Sequence, residues 1–589
     1  MNPASFISPV LYDTLQVSLP LFRMELALAA TIVLVLLVRM LPVLRRLDSG
    51  VVALGGILFA AWFAWSDLRN VAGSPWLDGA GGTERVELFT GLLVFDPLTA
   101  FLRFLLAGFL VLFSVFTRIT GIPDREDAAD FNVLVLGATL GMCLMASANH
   151  LLMVFMAVEM ASVPSYALAG LLKGRRTSSE AALKYAVYGA GAAGVMLYGI
   201  SLLGGSLGTL HLPTAATRLA AIASAGFPDG ASFVLVLGAL MVGVGLAFKL
   251  SAVPFHFWAP DVFEGASAEV GGFLSVASKA AAIALLIRVA LGFGVPAPIV
   301  PEAVAPGVEA SAMLEPGVSA TLVSSKAKVD EGPASQAATV ALAESTDDVR
   351  AELAPVRHFI VALIGLMAAV TCTLGNLGAY GQTNIKRLLA YSTIAHAGYL
   401  MMGVAGAVAL AGNHPSAAAT AVAAVAFYLA TYLFMNMSAF LIVAVLRNRL
   451  RSEEIASYAG LVKTSPGLVV LMGAVLVSLI GLPPLAGFVG KFLVFASLVD
   501  GISSNAERPI LLALLIVGGV NTVLSLFYYL RVLKVMTFDP PPAERPQPTI
   551  GLVSLSGAAI TAFVVPVVIF GVFWSGLYTL ARLAGDIVS

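Results

Sequence analysis

The chain has 589 residues, of which 59% are hydrophobic and 11% are charged, and its mean hydropathy is +0.94. Soluble domains carry about 25% charged residues, so this composition excludes a water-soluble globule and predicts an integral membrane protein. The formal net charge of -1 provides no basic field for nucleic acid, and no nucleic-acid partner is expected. The two cysteines, Cys143 and Cys372, lie in apolar runs without CxxC spacing, so neither a metal site nor a disulfide framework is expected.

Apolar runs of about 20 residues, the length that spans the hydrocarbon core, predict about fourteen transmembrane helices, which we number as spans 1 to 14. The amino terminus lacks the basic start of a cleaved signal peptide, so the run from near Glu25 to about Leu41 is interpreted as a retained first helix. The predicted fold class is an all-α polytopic membrane protein. The spans centre near residues 33, 58, 106, 139, 161, 192, 245, 281, 367, 398, 432, 480, 521 and 565.

Ionisable side chains interrupt several of these apolar runs. Burial in a membrane favours the neutral form of such a group, which allows proton exchange near neutral pH, and these groups usually mark an ion path. The alternative is that a lysine near a helix end extends to the headgroups or pairs statically with a neighbour. The mid-segment positions of Glu159, Lys249 and Lys279 favour the ion path. The candidates are Glu159 in span 5, Lys184 in span 6, Lys249 in span 7, Lys279 in span 8 and Lys491 in span 12.

Two of the spans contain prolines close to a lysine. Pro254 follows Lys249 by five residues, and Pro483 and Pro484 precede Lys491. Because proline removes a backbone donor and clashes with the preceding turn, both helices are expected to break at mid-membrane. Broken helices in corresponding places of two halves indicate an inverted-repeat transporter with its ion path at the breaks. A simple proline kink is the alternative.

Charge in the loops predicts the orientation of the chain. Basic residues concentrate on one side, which the positive-inside rule makes cytoplasmic, with both termini outside. Between spans 8 and 9, residues 295–355 lack a sustained apolar face and are net acidic, which predicts a flexible external loop without a catalytic role. The basic residues on the predicted cytoplasmic side are Arg45, Arg46, Arg118, Arg125, Lys173, Arg175, Arg176, Lys386, Arg387, Arg447, Arg449, Arg451, Arg531 and Lys534.

Six motifs stand out along the chain, at residues 249–265, 277–279, 158–159, 180–185, 384–399 and 481–491. Together they resemble those of the antiporter-like subunits of proton-pumping NADH:quinone oxidoreductase, respiratory complex I. Within that family the chain is most similar to the N-type subunits, because Ala277-Ser278-Lys279 stands where the L and M types usually carry a His-Ala-Ala run. It departs from the family at Ser267-Ala268-Glu269, which replaces a proline-containing stretch and leaves the start of span 8 open.

The resemblance implies that spans 4 to 8 and spans 9 to 13 form two inverted five-helix repeats, each with one broken helix. The expected domains are residues 1–130 with spans 1 to 3, 131–294 as the first repeat, 295–355 as the external insertion, 356–536 as the second repeat and 537–589 with span 14.

The resemblance also implies a proton relay within the chain. Glu159 and Lys249 are expected to form a charge pair, and loosening that pair lets Lys249 release its proton towards Lys279. From there the proton is expected to pass His396 to Lys491 and on to the far side. Histidine suits an intermediate because its ordinary pKa is about 6.5.

Two further residues have alternative interpretations. Lys184 either tunes the charge pair of Glu159 or makes an ordinary i,i+4 contact with Glu180 on its own helix. His256 is a weaker relay candidate than His396, and either histidine can instead be a hydrogen-bonded structural residue.

By the same resemblance, this chain is expected to be a non-redox subunit of a translocase. FMN, iron–sulfur clusters and quinone are expected in other subunits, and no cofactor or metal is expected here. The expected partners are other membrane-arm subunits, including a homologous antiporter-like subunit, and the lipid bilayer of a bacterial plasma membrane. The alternatives are a subunit of a multi-subunit cation/proton antiporter, which can carry the same lysines and broken helices, and a non-conducting scaffold.

Overall fold

The structure, a computed structural model, describes residues 10–41, 47–72, 85–124, 126–227, 230–295, 350–504, 506–542 and 548–588. Helices dominate these ranges, and the single sheet within them is an antiparallel hairpin of β1 (Val86–Leu88) and β2 (Leu93–Phe95). The prediction of an all-α membrane protein is confirmed. Most of the predicted acidic loop, residues 296–349, lies outside the described residues.

Thirteen helices of the described ranges are each long and apolar enough to cross a membrane. The bent pair Val10–Leu21 and Arg23–Met40 raises the count to fourteen when it is taken as one span, in agreement with the sequence. Shorter elements are a π-helical turn, Asp13–Ser18, the α-helices Leu19–Leu21, Leu212–Ser224 and Ser575–Gly585, and the 3-10 turns Ile455–Tyr458 and Leu461–Lys463. The spans are, in order, Arg23–Met40, Ser49–Val71, Pro97–Thr120, Ala128–Ser147, Leu151–Ala169, Arg176–Leu207, Ala231–Leu250 with Trp258–Gly265, Ala268–Gly294, Ala354–Ala379, Ile385–Ala411, Pro415–Leu450, Pro466–Ile480 with Ala486–Ser503, Arg508–Thr537 and Leu555–Val572.

Short polar side chains fix where some of the spans begin. Asp96 precedes span 3 and accepts a hydrogen bond from the Thr99 backbone N–H at 2.9 Å. Asn384 precedes span 10 and accepts one from the Lys386 backbone N–H at 2.9 Å. Such caps satisfy amide groups that have no partner in the first turn of a helix, and they place Lys386 at the very start of span 10.

Spans 7 and 12 are both broken, as the sequence predicts. The first half of span 7 ends at Leu250, where Ser251 adopts the left-handed conformation with φ +54°. The first half of span 12 ends at Ile480, where Gly481 has φ +89°. A left-handed residue is a common helix terminator, so each helix ends before its proline is reached. Both breaks leave the last helical carbonyl groups inside the bundle, where they need donors.

The centre of the bundle consists of spans 8, 10 and 11. All of the most apolar part of span 8 and 94% of that of spans 10 and 11 are buried inside the chain, against 28% for spans 13 and 14. Span 8 packs against both span 10 and span 11. The predicted relay residues Lys279 and His396 therefore lie on the most enclosed helices of the protein.

Glycine allows close contact between neighbouring spans at two central positions. A Cβ at Gly141 of span 4 would lie 2.5 Å from the backbone nitrogen of Ala161 in span 5, and one at Gly398 of span 10 would lie 2.6 Å from that of Cys372 in span 9. Small residues permit this backbone approach in membrane helices. The close approach holds spans 5 and 10, which carry Glu159 and His396, against their neighbours.

The ends of the spans meet at two faces. At the first, which we call the basic face, the Asn448 side chain of span 11 donates to the Thr120 carbonyl of span 3 at 2.8 Å. At the other, which we call the opposite face, the Asn149 backbone N–H between spans 4 and 5 binds the Leu92 carbonyl next to the hairpin at 3.1 Å. The predicted orientation makes the basic face cytoplasmic.

Candidate functional site

Lys249 lies at the break of span 7, one residue before the first half-helix ends, beside the break that the sequence predicts. The residue is 1% exposed, and its ammonium group donates a hydrogen bond to Ser162 Oγ of span 5 at 3.0 Å. Glu159, almost one turn before Ser162, is near enough for its charge to interact with that of Lys249. No direct salt bridge joins Glu159 to Lys249 in the described part of the chain, and the hydrogen bond of the Lys249 ammonium group goes to Ser162.

Glu159 is half-buried, which corrects the prediction of a buried carboxylate. Its neighbours on span 5 at Met156, Met160 and Val163 are exposed apolar side chains. Because residues three or four apart share one face of a helix, Glu159 lies at the edge of an outward-facing apolar surface. The Glu159 carboxylate is therefore accessible both to Lys249 inside the bundle and to any molecule that packs against span 5.

Lys279 lies on span 8 and contacts the same break in span 7. The residue is 3% exposed, and its ammonium group donates to Ser251 Oγ at 2.6 Å and to the carbonyl oxygen of Leu250. A cation at a helix carboxyl terminus satisfies an orphan carbonyl and is favoured by the helix dipole. Lys249 and Lys279 are close enough for their charges to interact, so a proton on one ammonium group disfavours a proton on the other.

Lys491 occupies the corresponding place in span 12. It is 3% exposed and donates to the Ile480 carbonyl, the last of the first half-helix, at 2.9 Å. Its ammonium nitrogen lies 4.2 Å from the centre of the Tyr399 ring, a cation–π contact. In each broken span, a buried lysine therefore donates a hydrogen bond to the last carbonyl group of the first half-helix.

His396 sits between two tyrosine hydroxyl groups. It is 2% exposed, with Nδ1 2.7 Å from the Tyr428 hydroxyl and Nε2 3.3 Å from the Tyr529 hydroxyl. A neutral imidazole donates from one nitrogen and accepts at the other, and each hydroxyl can do both. The three side chains can therefore exchange a proton by switching hydrogen-bond direction.

Polar residues around His396 were missed by the sequence reasoning. Asn436 donates to the Tyr432 hydroxyl at 2.7 Å, and that hydroxyl donates to Thr393 Oγ1 at 3.2 Å. The spacing does contain a signal, because Tyr428, Tyr432 and Asn436 recur every four residues and so share one face of span 11. With no charge in that pattern, only the packing of span 11 against span 10 identifies it as a polar network.

Lys184 lies outside both breaks. Its side chain is 34% exposed, and its ammonium group contacts Glu180 Oε1 at 2.8 Å and Asp261 Oδ2 at 2.6 Å. The i,i+4 contact expected as one of two alternatives is present, and none of its described contacts is with Glu159. His256 lies within the break of span 7 and is half-buried, and its described contacts include neither a lysine nor His396. The structure therefore groups Glu159, Lys249 and Lys279 at one break and His396 and Lys491 near the other.

Asp261 joins Lys184 to Arg387 in a group of ion pairs at the basic face, which we call the clasp. Its second oxygen accepts a hydrogen bond from Arg387 Nη1 of span 10 at 2.7 Å, and the same nitrogen contacts Glu264 Oε2 at 2.8 Å. Asp261 thus joins span 6 to span 10 across the short helix that follows the break of span 7. The sequence motif contained Asp261, but its partners are about 80 and 130 residues away.

We expect Asp261→Asn to lower the thermal stability of the solubilised complex only slightly. The three side chains are each about 30% exposed, and partly solvated ion pairs contribute no more than about 1 kcal/mol. Proton pumping should be unchanged if the clasp is static. Asp124→Asn, at an exposed carboxylate of the same face, is the matched control. A loss of pumping with Asp261→Asn alone would contradict a static clasp and return Lys184 to the relay.

Two buried ion clusters near the opposite face were also missed by the sequence reasoning. Arg103 Nε of span 3 lies 2.7 Å from Glu25 Oε1 of span 1 and 3.8 Å, through Nη1, from Asp67 of span 2. Arg288 of span 8 pairs with Asp96 at 2.6 Å. Most of these charges interrupt apolar runs as the lysines do, so the same criterion could have selected them. Within the described residues, no group of three or more His, Cys, Asp or Glu side chains is arranged to hold a metal ion.

Comparison with known proteins agrees with this architecture. Residues 148–302 and 334–524 match the family model described as NADH:quinone oxidoreductase/Mrp antiporter, TM. NADH-quinone oxidoreductase subunit N 2 of Sorangium cellulosum is 37% identical over 502 residues, which cover 83% of this chain and 84% of that protein. NADH-quinone oxidoreductase subunit N of Anaeromyxobacter sp. is 37% identical over 495 residues, 83% of each chain.

Solved structures with similar folds come from two kinds of membrane complex. A chain of respiratory complex I from Thermus thermophilus with bound aureothin superposes with a TM-score of 0.64 at 27% identity, covering 94% of this chain and 98% of that one. A chain of the Mrp complex from Dietzia sp. gives a TM-score of 0.68 at 19% identity, covering 98% and 97%. The second likeness concerns the fold alone.

Proposed function

The chain belongs to the NADH:quinone oxidoreductase/Mrp antiporter transmembrane family, and we propose that it moves protons through the membrane arm of an NADH:quinone oxidoreductase without a redox centre of its own. It is a multi-pass membrane protein whose relatives at 37% identity are NADH-quinone oxidoreductase N subunits, which favours this function over cation/proton antiport. The observation that carries the proposal is the pair of broken spans, each with a buried lysine on its last carbonyl group.

The first half of the proposed path lies at the break of span 7. Lys249 holds a proton while the Glu159 carboxylate stabilises its charge. When that carboxylate moves away or is neutralised, the ammonium group loses its nearest counter-charge and gives up the proton more readily. Lys279, whose charge already interacts with that of Lys249, is the acceptor.

The second half lies between spans 10, 11 and 12. The proton travels from Lys279 along the contact between spans 8 and 10 to His396, whose two tyrosine hydroxyls provide alternate donors and acceptors. Lys491 then receives it and releases it towards the opposite face. The charges of His396 and Lys491 are near enough to interact, so arrival of a proton at His396 promotes its departure from Lys491.

The signal that drives the path is proposed to enter at Glu159. Its position at the edge of an exposed apolar surface of span 5 suits contact with a homologous antiporter-like subunit, whose charges can strengthen or weaken the interaction with Lys249. Flavin, iron–sulfur and quinone chemistry belongs to other subunits of the complex. With the basic face in the cytoplasm of a bacterium, the protons leave the cell through its plasma membrane.

The proposal is tested by Lys249→Met in inverted membrane vesicles energised with NADH. We expect pumping to fall by about a hundredfold, the contribution typical of a positioned proton-transfer group, and quinone reduction to be depressed with it, while the complex still assembles. Lys463→Met, at an exposed lysine of the basic face, should pump normally.

Two other outcomes would favour a different function for the chain. Full pumping by Lys249→Met in an assembled complex would eliminate the relay and favour a non-conducting scaffold. Membranes of the unaltered strain that show no NADH-driven pumping, but exchange a monovalent cation for protons, would favour the antiporter.

A further inference from the structure

Glu269 is a fully buried carboxyl group without a fixed hydrogen bond. It lies in the first turn of span 8, which Ser267 caps by accepting from the Val270 backbone N–H at 3.3 Å. The residue is 0% exposed, and neither carboxylate oxygen has a hydrogen-bond partner. A buried carboxylate normally accepts several hydrogen bonds, so two unpartnered oxygens leave Glu269 free to bind a group that donates to it. The structure therefore places a potential proton acceptor just inside the basic face.

Charged groups surround Glu269 on three sides. Arg447 Nη2 of span 11 lies 3.8 Å from Glu269 Oε1, and the same nitrogen donates to the neighbouring Asn448 side chain at 2.9 Å. Lys386 of span 10 is near enough for its charge to interact with Glu269. Its ammonium group contacts Glu453 Oε2, in the loop after span 11, at 2.8 Å.

Among the residues that the structure describes, Glu269 has no other ion pair than the one with Arg447. Span 3 contributes the Phe116 ring, which packs against Gly272. The helix before span 8 directs its carboxylate, Glu264, towards Arg387. The cluster of Glu269, Lys386, Arg447 and Glu453 is therefore formally neutral when Glu269 is ionised and carries one positive charge when Glu269 is protonated.

Exposure in this cluster decreases from the aqueous edge inwards. The Glu453 side chain is 19% exposed, that of Arg447 is 12% exposed and that of Lys386 is 3% exposed, whereas that of Glu269 is 0% exposed. A proton from the basic-face solvent can thus reach Glu269 over short distances. This decrease in side-chain exposure fits a proton entry site. Such a site needs outer groups in contact with water and an inner group, here Glu269, that holds the proton away from it.

The cluster also points towards the His396 network. On span 10, Lys386 and Thr393 are seven residues apart, so they share a helix face about 10 Å apart along the axis. On span 11, Arg447 and Asn436 are eleven residues apart and share a face three turns apart. Thr393 and Asn436 both hydrogen-bond with Tyr432, whose ring centroid lies 5.0 Å from that of His396.

We propose that Glu269 is the residue that takes protons from the basic face into the second half of the chain and supplies the His396 network. The proposal rests on the proton-translocating function given above. In the loading step, the Glu269 carboxylate accepts one proton from solvent by way of the Glu453 edge and becomes a neutral carboxylic acid. In the delivery step, it returns to the carboxylate as that proton passes inwards, with Lys386 and Arg447 stabilising the restored negative charge.

The test compares Glu269→Gln and Glu269→Asp in the assembled complex, with NADH-driven proton uptake measured in inverted vesicles across a range of pH. Glu269→Gln keeps the shape but cannot carry a proton, and we expect it to reduce the rate of NADH-driven proton uptake by about a hundredfold. Glu269→Asp restores a carboxyl group and should recover most of the pumping. Wild-type pumping by Glu269→Gln at every pH would overturn the proposal.

A second variant keeps the proposal testable if Glu269→Gln fails to assemble. Arg447→Gln removes the nearest cation, so the carboxylate is less stabilised and the pH dependence of pumping should move to higher pH. Arg449→Gln, at an exposed arginine of the same helix, should leave the pH dependence unchanged. Identical pH profiles for Arg447→Gln and the unaltered complex would overturn the proposal. Lys249→Met, measured alongside, separates the two ideas, because its normal pumping would refute the proposed function whatever Glu269 does.

Discussion

Arg288→Leu is expected to destabilise the folded chain by about 3–5 kcal/mol, the range measured when one partner of a buried ion pair is removed. The guanidinium of Arg288 binds Asp96 through both of its oxygens, at 2.6 and 2.7 Å, and also contacts Thr99 Oγ1 at 2.6 Å and the Ala146 carbonyl. The side chains of Arg288 and Asp96 are only 4% and 2% exposed. Leucine leaves the Asp96 carboxylate buried without its counter-charge.

The stabilising contribution of the Arg288–Asp96 ion pair is expected to decrease at low pH. Burial alone would raise the pKa of Asp96, but the charge and hydrogen bonds of Arg288 and the Thr99 N–H hold that pKa below its ordinary value. A lowered pKa means that the stabilising contribution is fully present above the unfolded value, about 3.9, and is lost as pH falls through the folded pKa. At neutral pH the whole effect of Arg288→Leu should therefore be observed.

The measurement is the temperature at which the chain is lost from solubilised complexes, followed by native electrophoresis. The double variant Asp96→Ala with Arg288→Leu should recover part of the stability, because it removes the unpaired buried charge. Arg69→Leu, at an exposed arginine of span 2, is the control and should change little. A melting temperature for Arg288→Leu equal to that of the control would show that the pair contributes nothing at this site.

Lys491→Met is expected to abolish pumping more completely than any change at the basic face. Lys491 is the last proton carrier of the proposed path and is 3% exposed, so bulk solvent has little access to replace it. Methionine has a similar volume and keeps an apolar contact with the Tyr399 ring, but it leaves the Ile480 carbonyl without its donor. We expect a loss of about a hundredfold or more in NADH-driven pumping, with normal assembly.

Lys491→Met also tests the order of the path. Lys463→Met provides the control for lysine loss at an accessible site. If Lys491 acts downstream of His396, the variant should still take up a proton on the basic side in a single turnover but fail to release it. Steady pumping at the rate of the control would refute a role for Lys491 and confine the path to the break of span 7.

Much of the fold could be predicted because hydropathy acts locally. A run of about 20 apolar residues must be helical in a bilayer, where its backbone polar groups have no other partners. That reasoning placed all fourteen spans and both breaks. Lys249, Lys279 and Lys491 were likewise identified because a charge in an apolar run is conspicuous.

The groups that those charged side chains contact could not be predicted from the sequence. Whether a lysine pairs with a carboxylate, a hydroxyl or a helix end depends on which residue lies across the helix contact, often more than a hundred positions away. Lys249 was expected to pair with Glu159 and instead donates to Ser162, while Lys279 and Lys491 bind the carbonyls of broken helices. The tyrosine network around His396 carries no charge and so left no comparable signal.

The sequence by itself determined that this protein is a membrane protein, where its helices lie, where two of them break and which lysines interrupt apolar runs. These properties follow from short stretches of composition and from proline chemistry. Only the tertiary structure decided that Lys184 belongs to a clasp with Asp261, that Asp96 and Arg288 form a buried pair and that Glu269 has no hydrogen bond. Those features arise from side chains on different helices, and the packing of one helix against another sets which of them meet.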